Sequence, residues 1–235
     1  MVLAGSLRLF IALLTVLLIL GCIGYGLLTR GGLDLDEDLP TLWEEEFSSD
    51  TDVPLQVHDP SWRLIFGQLQ VASSLEAVRA DPASEEGIDD YGYRPQPATK
   101  IRIVQDWYWD SADGVGAENV VGIDGSLYEL TLWEDRLQLL RYDGGGDPSV
   151  YASLKATSRL GLESGFYRLV FLSSFSDGKW TMAGEVQDPN RDYRRLGSIR
   201  RKTDSVHGPS IGQGVGIYNR SGKASYLLRM RVDGY

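Results

Sequence analysis

An uncharged run of twenty residues, 9–28, constrains this chain more than any other sequence feature. An α-helix rises about 1.5 Å per residue, so a helix of this length matches the roughly 30 Å hydrocarbon core of a bilayer. The chain after Arg30 is polar enough to form a domain in water. The sequence therefore predicts one transmembrane anchor at residues 1–30, followed by one globular domain.

The charges that flank the anchor predict its orientation. Arg8 and the α-amino group precede the apolar run, whereas an acidic run that begins at Asp34 follows it. Because positive charge is retained on the cytoplasmic side of a membrane, we expect a cytoplasmic N-terminus. The C-terminal domain is then periplasmic or extracellular, and the membrane is the first predicted partner.

Two alternatives to a retained helix stay open. A cleaved signal peptide usually has an apolar region of about 7–15 residues, which is shorter than this run. Residues 18–22 loosely resemble a bacterial lipobox, in which Cys22 would become the lipidated first residue of the mature chain. However, residues 23–28 stay apolar where a lipoprotein normally turns polar. The sequence favours the retained helix.

Three glycines, Gly21, Gly24 and Gly26, lie in the C-terminal half of the predicted helix. Membrane helices pack closely where small residues let two backbones approach, because lipid provides no hydrophobic drive for association. We therefore predict that these glycines contact a neighbouring helix, which makes an integral-membrane protein complex a candidate partner.

Composition limits the partners of the outer domain. The chain has a net charge of −10, so the phosphates of a nucleic acid would be repelled. No Lys or Arg occurs at residues 31–61, and we predict an acidic linker at residues 31–41. Cys22 is the only cysteine, so the domain has no disulfide and depends on packing alone.

Apolar and polar residues alternate through most of the chain after Trp43, which predicts β-strands with one buried face. Two-residue turns at positions 134–135 and 177–178 predict hairpins. The expected inward sets are Ile101, Ile103, Gln105, Trp107 and Trp109; Tyr128, Leu130 and Leu132; Tyr167, Leu169 and Phe171; Trp180, Met182 and Val186; and Tyr226, Leu228, Met230 and Val232. No strong helical pattern interrupts these strands, so the sequence predicts an all-β antiparallel sandwich.

Several motifs are similar to those of concanavalin A-like, laminin-G-like jelly rolls. They are the acidic strand at residues 43–48, the strand pair with Trp62 and residues 67–70, the Gly-entered strand at 122–130, and the closing pair at 214–218 and 224–226. The resemblance implies a concanavalin A-like β-sandwich at residues 42–235. Domains that share this fold include glycan-binding modules, glycosidases and interaction domains, so the resemblance does not decide the function.

No complete catalytic motif accompanies the strands. Retaining glycosidases of this fold carry paired carboxylates spaced E-x-D-x-E along one strand, and no such motif occurs here. Glu185 and Asp188 are the nearest pair, but a spacing of three puts them on opposite faces of a strand. His58 and His207 lie in neither a nucleophile-elbow nor a zinc-protease motif. We predict a non-enzymatic protein with no cofactor and assign no metal ligand. The acidic turns at residues 110–114 and 143–147 resemble parts of a calcium loop but lack its full ligand set, so turn chemistry is favoured and calcium binding stays open.

The strand with Trp107 and Trp109 on one face and Tyr108 on the other is the first candidate interaction site. Aromatic rings suit both sugar platforms and protein interfaces. Core packing of one face is the alternative, which stays open.

A concentrated basic patch is the second candidate interaction site. It consists of Arg191, Arg194, Arg195, Arg200, Arg201 and Lys202. Such a patch suits an acidic partner or anionic lipid headgroups. A solvated edge strand, whose charges discourage pairing between sheets, explains it equally well.

Two functions are consistent with these features. The first is a membrane-anchored extracytoplasmic accessory subunit, a non-catalytic interaction protein within a larger membrane complex. The alternative is a surface-tethered glycan-binding module. The position of the two tryptophans distinguishes them, since a sugar platform requires an open groove.

Overall fold

The alternation in the sequence folds into strands in a computed structural model of the chain. The structure describes residues 35–47, 49–54, 58, 63–66, 68–72, 77–81, 88–93, 98–109, 113–120, 127–133, 136–142, 149–155, 164–202, 214–219 and 225–235. The predicted anchor at residues 1–30, with Gly21, Gly24 and Gly26, lies outside them. Among the described residues, no helix has the length and hydropathy needed to cross a membrane.

The described residues form sixteen strands and one short 3₁₀ helix. The strands are β1 Thr41–Glu46, β2 Val53–Pro54, β3 Arg63–Phe66, β4 Gln68–Ala72, β5 Ala77–Asp81, β6 Ile88–Tyr93, β7 Lys100–Trp109, β8 Asp113–Val120, β9 Leu127–Trp133, β10 Arg136–Tyr142, β11 Ser149–Lys155, β12 Gly165–Ser176, β13 Lys179–Asp188, β14 Arg194–Lys202, β15 Gly214–Asn219 and β16 Ser225–Gly234. The 3₁₀ helix is Pro189–Arg191.

These strands form two sheets. Sheet A has the order β14-β13-β12-β7-β16-β5-β4-β2. Both β5 and β1 pair with the same edge of β16, β5 at residues 225–227 and β1 at residues 229–233. Sheet B has the order β11-β10-β9-β8-β15-β6-β3. Neighbouring strands in both sheets are antiparallel. The architecture confirms the predicted all-β antiparallel sandwich.

The core lies between the two sheets and is built from the inward side chains of each. Residues on alternate positions of a strand share a face, so each of these strands contributes one to three of them. Sheet A contributes Ile101, Ile103, Trp107, Leu169, Phe171, Trp180, Met182, Val186, Leu227, Met230 and Val232, and sheet B contributes Tyr128, Leu130, Leu132, Leu137, Leu139 and Ile217. Most of the predicted inward sets are therefore confirmed.

Gln105 is a polar residue within this core. Its amide Nε2 donates a hydrogen bond to the backbone oxygen of Gly216 in sheet B at 3.1 Å. Its Oε1 accepts a hydrogen bond from the indole Nε1 of Trp107 at 2.9 Å. Since buried polar groups cost free energy unless they are paired, one side chain satisfies two polar groups and links the sheets.

Both predicted hairpins are confirmed. Strands β12 and β13 join at Asp177 and Gly178, whose φ angles are 52° and 72°. Two consecutive positive φ values are typical of the tight turn whose twist matches a hairpin. Strands β9 and β10 pair with Leu127 opposite Tyr142 at one end and Leu132 opposite Leu137 at the other, as expected for the second hairpin.

The prediction for the last strand is wrong at two residues. The register between β16 and β7 shifts between Leu227 and Arg229, so Leu228 is an extra residue in the ladder. On one side of a one-residue bulge, the side chains that would have pointed inward point outward, and the reverse. Leu227 therefore fills the core position, whereas Tyr226 and Leu228 are only half-buried.

Residues 35–40, which we call the strap, lie against sheet A, although the sequence places them in the linker at 31–41. The guanidinium Nη1 of Arg102 donates hydrogen bonds to the backbone oxygens of Leu35 at 3.0 Å and Glu37 at 2.5 Å. The backbone nitrogen of Gly234 donates to the oxygen of Pro40 at 2.9 Å. The compact unit that contains the sandwich accordingly begins at Leu35.

Candidate ligand-binding face of sheet A

The side of sheet A that faces away from the core carries the candidate site. Because the central strands are in register, their outward side chains form rows that cross the sheet. Two neighbouring rows are relevant here. The aromatic row consists of Tyr226, Tyr108 and Phe166, and the ion-pair row consists of Glu46, Arg229, Asp106, Arg168, Gln187 and Arg195.

The aromatic row presents rings at the surface. The ring centroids of Tyr108 and Phe166 are 4.9 Å apart, and those of Tyr108 and Tyr226 are 6.2 Å apart. Phe166 is 45% exposed, a high value for an apolar aromatic side chain within a strand. The rings are tilted by 51° and 41° against each other, so the row offers an uneven apolar surface beside the polar row.

Asp106 and Arg168 form the centre of the ion-pair row. Nε of Arg168 lies 2.6 Å from Oδ1 of Asp106, and Nη2 lies 2.7 Å from Oδ2, so the pair is bidentate. Burial lowers the pKa of the Arg168 guanidinium, but the hydrogen bond and charge of Asp106, with a smaller effect of Tyr193, outweigh it and raise that pKa. Arg168 is therefore a permanent cation in a fixed orientation.

Tyr193 covers the Arg168 side chain. The guanidinium carbon of Arg168 lies 4.0 Å from the centroid of the Tyr193 ring, a cation–π arrangement. Tyr193 is nevertheless 45% exposed, so part of its side chain stays accessible beside Arg168.

The turn between β13 and β14 positions Tyr193. The carboxylate of Asp188 accepts a hydrogen bond from the backbone nitrogen of Asn190 at 2.9 Å and caps the 3₁₀ helix. Asp192 and Tyr193 then both adopt a φ of 53°, which residues other than glycine rarely do. Such strain persists when the surrounding contacts hold it, and it is concentrated at functional sites.

An open cleft of about 590 Å³, which we call the aromatic cleft, runs across these strands. Aromatic and polar groups both line it, including Glu46, Asp106, Phe166, Asn190, Tyr193 and Arg229. Each charged group lies beside its opposite, since Arg229 pairs with Glu44 and Glu46 as Arg168 does with Asp106. The cleft therefore suits an uncharged ligand that has both a flat apolar face and hydroxyl groups.

The two tryptophans predicted as interaction residues have different outcomes. Trp107 has no exposed surface and packs in the core, which is the alternative that the sequence left open. Its indole belongs to the core and not to an interaction surface. For Trp109 the structure describes the backbone, which pairs with Gly165 and Ser225.

The predicted basic patch is distributed over the edge strand β14 and the turn before it. By register, Arg195, Arg200 and Lys202 point to the ligand-binding side, whereas Arg201 lies opposite the core residue Met182. Arg191 pairs with Asp188 at 3.3 Å in the turn. Strand alternation thus separates side chains that are neighbours in the sequence, so they do not form one continuous surface.

The carboxylates weighed as catalytic candidates have structural partners. Glu185 is 1% exposed, and its Oε2 lies 2.6 Å from Nε of Arg195. Asp188 caps the 3₁₀ helix. Separately, Nε2 of His58, one of the two histidines considered in the sequence, lies 3.2 Å from Oε1 of Glu45. Among the described residues, no group of three His, Cys, Asp or Glu side chains is arranged to hold a metal ion.

Sequence reasoning missed the principal residues of the aromatic cleft. Phe166 and Arg168 carry one available signal, since they alternate with the inward residues Tyr167 and Leu169 and must point outward. Asp106 alternates in the same way with Gln105 and Trp107. Tyr193 has no comparable signal, because its position depends on two positive φ angles in a turn.

Comparison with known proteins supports the fold through structure and not through sequence. No family model matches the chain, and no curated protein matches it either.

Three solved structures are similar to it. The CBM2 module of the evolved Dit protein of Lactobacillus casei BL23 phage J-1 has a TM-score of 0.55 and 11% identity, over 83% of this chain and 95% of the module. A protein of unknown function with a galectin-like fold from Bacillus subtilis has a TM-score of 0.53 and 14% identity, over 84% of this chain and 97% of that protein. The carbohydrate recognition domain of Emp46p, in its potassium-bound form, has a TM-score of 0.50 and 13% identity, over 86% of this chain and 99% of that domain.

These similarities define the class of fold. The protein is a galectin-like, concanavalin A-like jelly roll, which confirms the resemblance found in its sequence. At identities of 11–14% the comparison shows the fold alone.

Proposed function

We propose that this protein is a carbohydrate-binding module that binds a glycan in the aromatic cleft of sheet A. The observation that carries the proposal is the pairing of two exposed aromatic rings, Phe166 and Tyr193, with fixed hydrogen-bonding groups in one open cleft. Protein–sugar contacts need both features, because a sugar ring has an apolar face and a polar edge.

Each group in the cleft has a role in this proposal. The C–H face of a sugar ring stacks on the accessible part of Tyr193, whose ring Arg168 supports. Asp106 and Glu46 accept hydrogen bonds from sugar hydroxyls, and Arg229 and Asn190 donate them. Because Asp106 and Arg168 hold each other in a bidentate pair, they lose little conformational freedom when the ligand binds.

The comparisons add support to the glycan-binding role. The similar Emp46p structure is that of a carbohydrate recognition domain. A shared fold does not carry a function with it, so the cleft of this chain is the main support for the proposed role.

The accessory-subunit function has less support. It rests on the retained helix and the missing catalytic motif. The surfaces expected to attach the domain to a partner are less suitable, because Trp107 is buried and Arg200 and Arg201 lie on opposite faces of β14. We retain the membrane anchor and the extracytoplasmic position as part of the proposal. The protein would then hold a glycan close to the outer side of the membrane without catalysing a reaction.

A glycan array probed with the full-length protein in detergent, followed by calorimetric titration of the best ligand, tests this function. We expect Tyr193→Ala and Phe166→Ala each to weaken binding roughly tenfold, which corresponds to about 1.4 kcal/mol. Val150→Ala is the matched control, since Val150 is 58% exposed on β11 of sheet B. Failure to bind any glycan, or equal affinity of all three variants, would disprove the proposal.

A further inference from the structure

A second cleft, which we call the valine cleft, lies beside the aromatic cleft on the same face. Its floor is a cross-strand pair, Val104 of β7 and Val170 of β12, directly opposite each other in the register. The row of these valines is two residues along the strands from the Asp106–Arg168 row, which is about 7 Å. Tyr193 lines both clefts, and Arg168, which is stacked on it, lines the valine cleft.

The strap closes the far side of the valine cleft. Residues 35–38 line it, opposite Arg168 and Tyr193, and the cleft volume is about 480 Å³. Arg102 holds the strap through two backbone oxygens, and Lys100 holds it through an ion pair with Glu37. The strap thus forms one side of an open groove, and Tyr193 and Arg168 also line it.

Polar groups surround the apolar floor. The guanidinium groups of Arg168 and Arg231 lie on its rim, and so do the carboxylates of Asp38 and Asp192. Both arginines have Nη atoms beyond those that bind Asp106 and Asp233. Since four carboxylates and three guanidinium groups line the cleft, a strongly charged ligand would meet repulsion whichever sign it carries.

We propose that the valine cleft is a subsite for the acetamido group of an N-acetylhexosamine residue. This inference rests on the proposed function, because the sugar ring itself would lie on Tyr193. The acetyl methyl would pack on Val104 and Val170, and the carbonyl oxygen would accept a hydrogen bond from Arg168 or Arg231. The amide N–H would donate to a carboxylate of the rim, so every polar atom of the group is paired.

The acetamido group is the occupant that these features fit. It is uncharged, has one methyl group, and presents one donor and one acceptor. A free carboxylate or phosphate would face four carboxylates that line the cleft, those of Asp36, Glu37, Asp38 and Asp192. A hydroxyl group at the same position would leave the valine floor without an apolar partner.

The test compares two trisaccharides with the same β-1,4 backbone, N-acetylated chitotriose (called chitotriose below) and cellotriose. They differ at position 2 of each ring, where chitotriose has an acetamido group and cellotriose has a hydroxyl group. Calorimetric titration of the full-length protein in detergent should show roughly tenfold or greater preference for chitotriose. Val170→Leu, which fills the cleft, should remove this preference and leave cellotriose affinity unchanged. Val170→Leu could also change affinity by displacing neighbouring strands. Arg231→Met therefore provides an independent variant, which should lower the affinity for chitotriose and not that for cellotriose.

The outcomes separate the two proposals. Equal affinities for the trisaccharides, or a chitotriose preference that survives Val170→Leu and Arg231→Met, would overturn the acetamido subsite while leaving glycan binding intact. Binding of no glycan at all would overturn the proposed function first. A fragment of peptidoglycan glycan strand, tested in parallel, distinguishes the source: tighter binding than chitotriose supports a cell-wall ligand, and weaker binding supports a chitin-like or glycoprotein one.

Discussion

Arg102 and Asp233 form a buried ion pair on the outer side of sheet A, with Nη2 of the arginine 2.8 Å from Oδ2 of the aspartate. The Nε atom of Arg102 also donates to this oxygen, at 2.9 Å. The remaining nitrogen, Nη1, binds the strap. Arg102 thus connects β16 to the strap, which precedes β1 in the chain.

The Arg102 pair predicts the effect of its removal. Arg102→Met should lower the free energy of unfolding by about 3–5 kcal/mol, because Asp233 would stay buried without its main partner. It should also release the strap, which Leu39→Cys would report through faster thiol labelling in a Cys22→Ser background, because Leu39 is 5% exposed when the strap is in place. Arg200→Met, a change at an exposed arginine, is the control. Unchanged labelling in Arg102→Met would show that the strap is held by other contacts.

Gln105 predicts a second stability effect. Gln105→Leu should lower the free energy of unfolding by about 1–3 kcal/mol, because the indole N–H of Trp107 would lose its buried acceptor. Urea unfolding monitored by tryptophan fluorescence measures this change. Gln138→Leu, at a half-buried position of β10, should cost less than about 0.5 kcal/mol. Equal losses in the two variants would refute the role of Gln105 in linking the sheets.

Gly234 is predicted to tolerate no larger residue. A Cβ atom there would collide with the backbone oxygen of Lys100 and approach Cα of Ile101, and neither atom can move independently of the sheet. We expect Gly234→Ala to cost about 1–3 kcal/mol, as overpacking does elsewhere. Thermal unfolding of the variant provides the measurement.

Gly178 is constrained in a different way. A Cβ there would meet no atom within 4 Å, so its positive φ of 72° is the main constraint. Gly178→Asn should therefore be nearly neutral in the same thermal unfolding measurement.

The predicted orientation in the membrane has a direct test. Protease added to intact cells, after removal of any outer envelope, should digest the domain that follows residue 34, because basic charge precedes the anchor and acidic charge follows it. Immunoblotting for a C-terminal tag detects the loss. Protection of the tag in intact cells, with digestion after lysis, would reverse the orientation.

The sandwich could be predicted from local patterns. The alternation at residues 101–107 placed Ile101, Ile103 and Trp107 on the inward face without any knowledge of the partner strands. The same alternation failed at Tyr226 and Leu228, because a one-residue bulge exchanges the faces and leaves no reliable sequence signal. The sequence also predicts a linker where the strap lies, because the acidic residues of this segment give no indication that Arg102 lies opposite them.

The sequence by itself determined the strands, their inward faces and the class of the fold, because these follow from the period of hydrophobic residues along the chain. Only the tertiary structure decided the binding face. Asp106 and Arg168 are 62 positions apart, and their bidentate pair exists because β7 and β12 are neighbours in that particular register. Tyr193 covers that pair because a turn with two positive φ angles directs it there. Register and turn conformation arise from contacts distant in sequence, and local periodicity does not encode them.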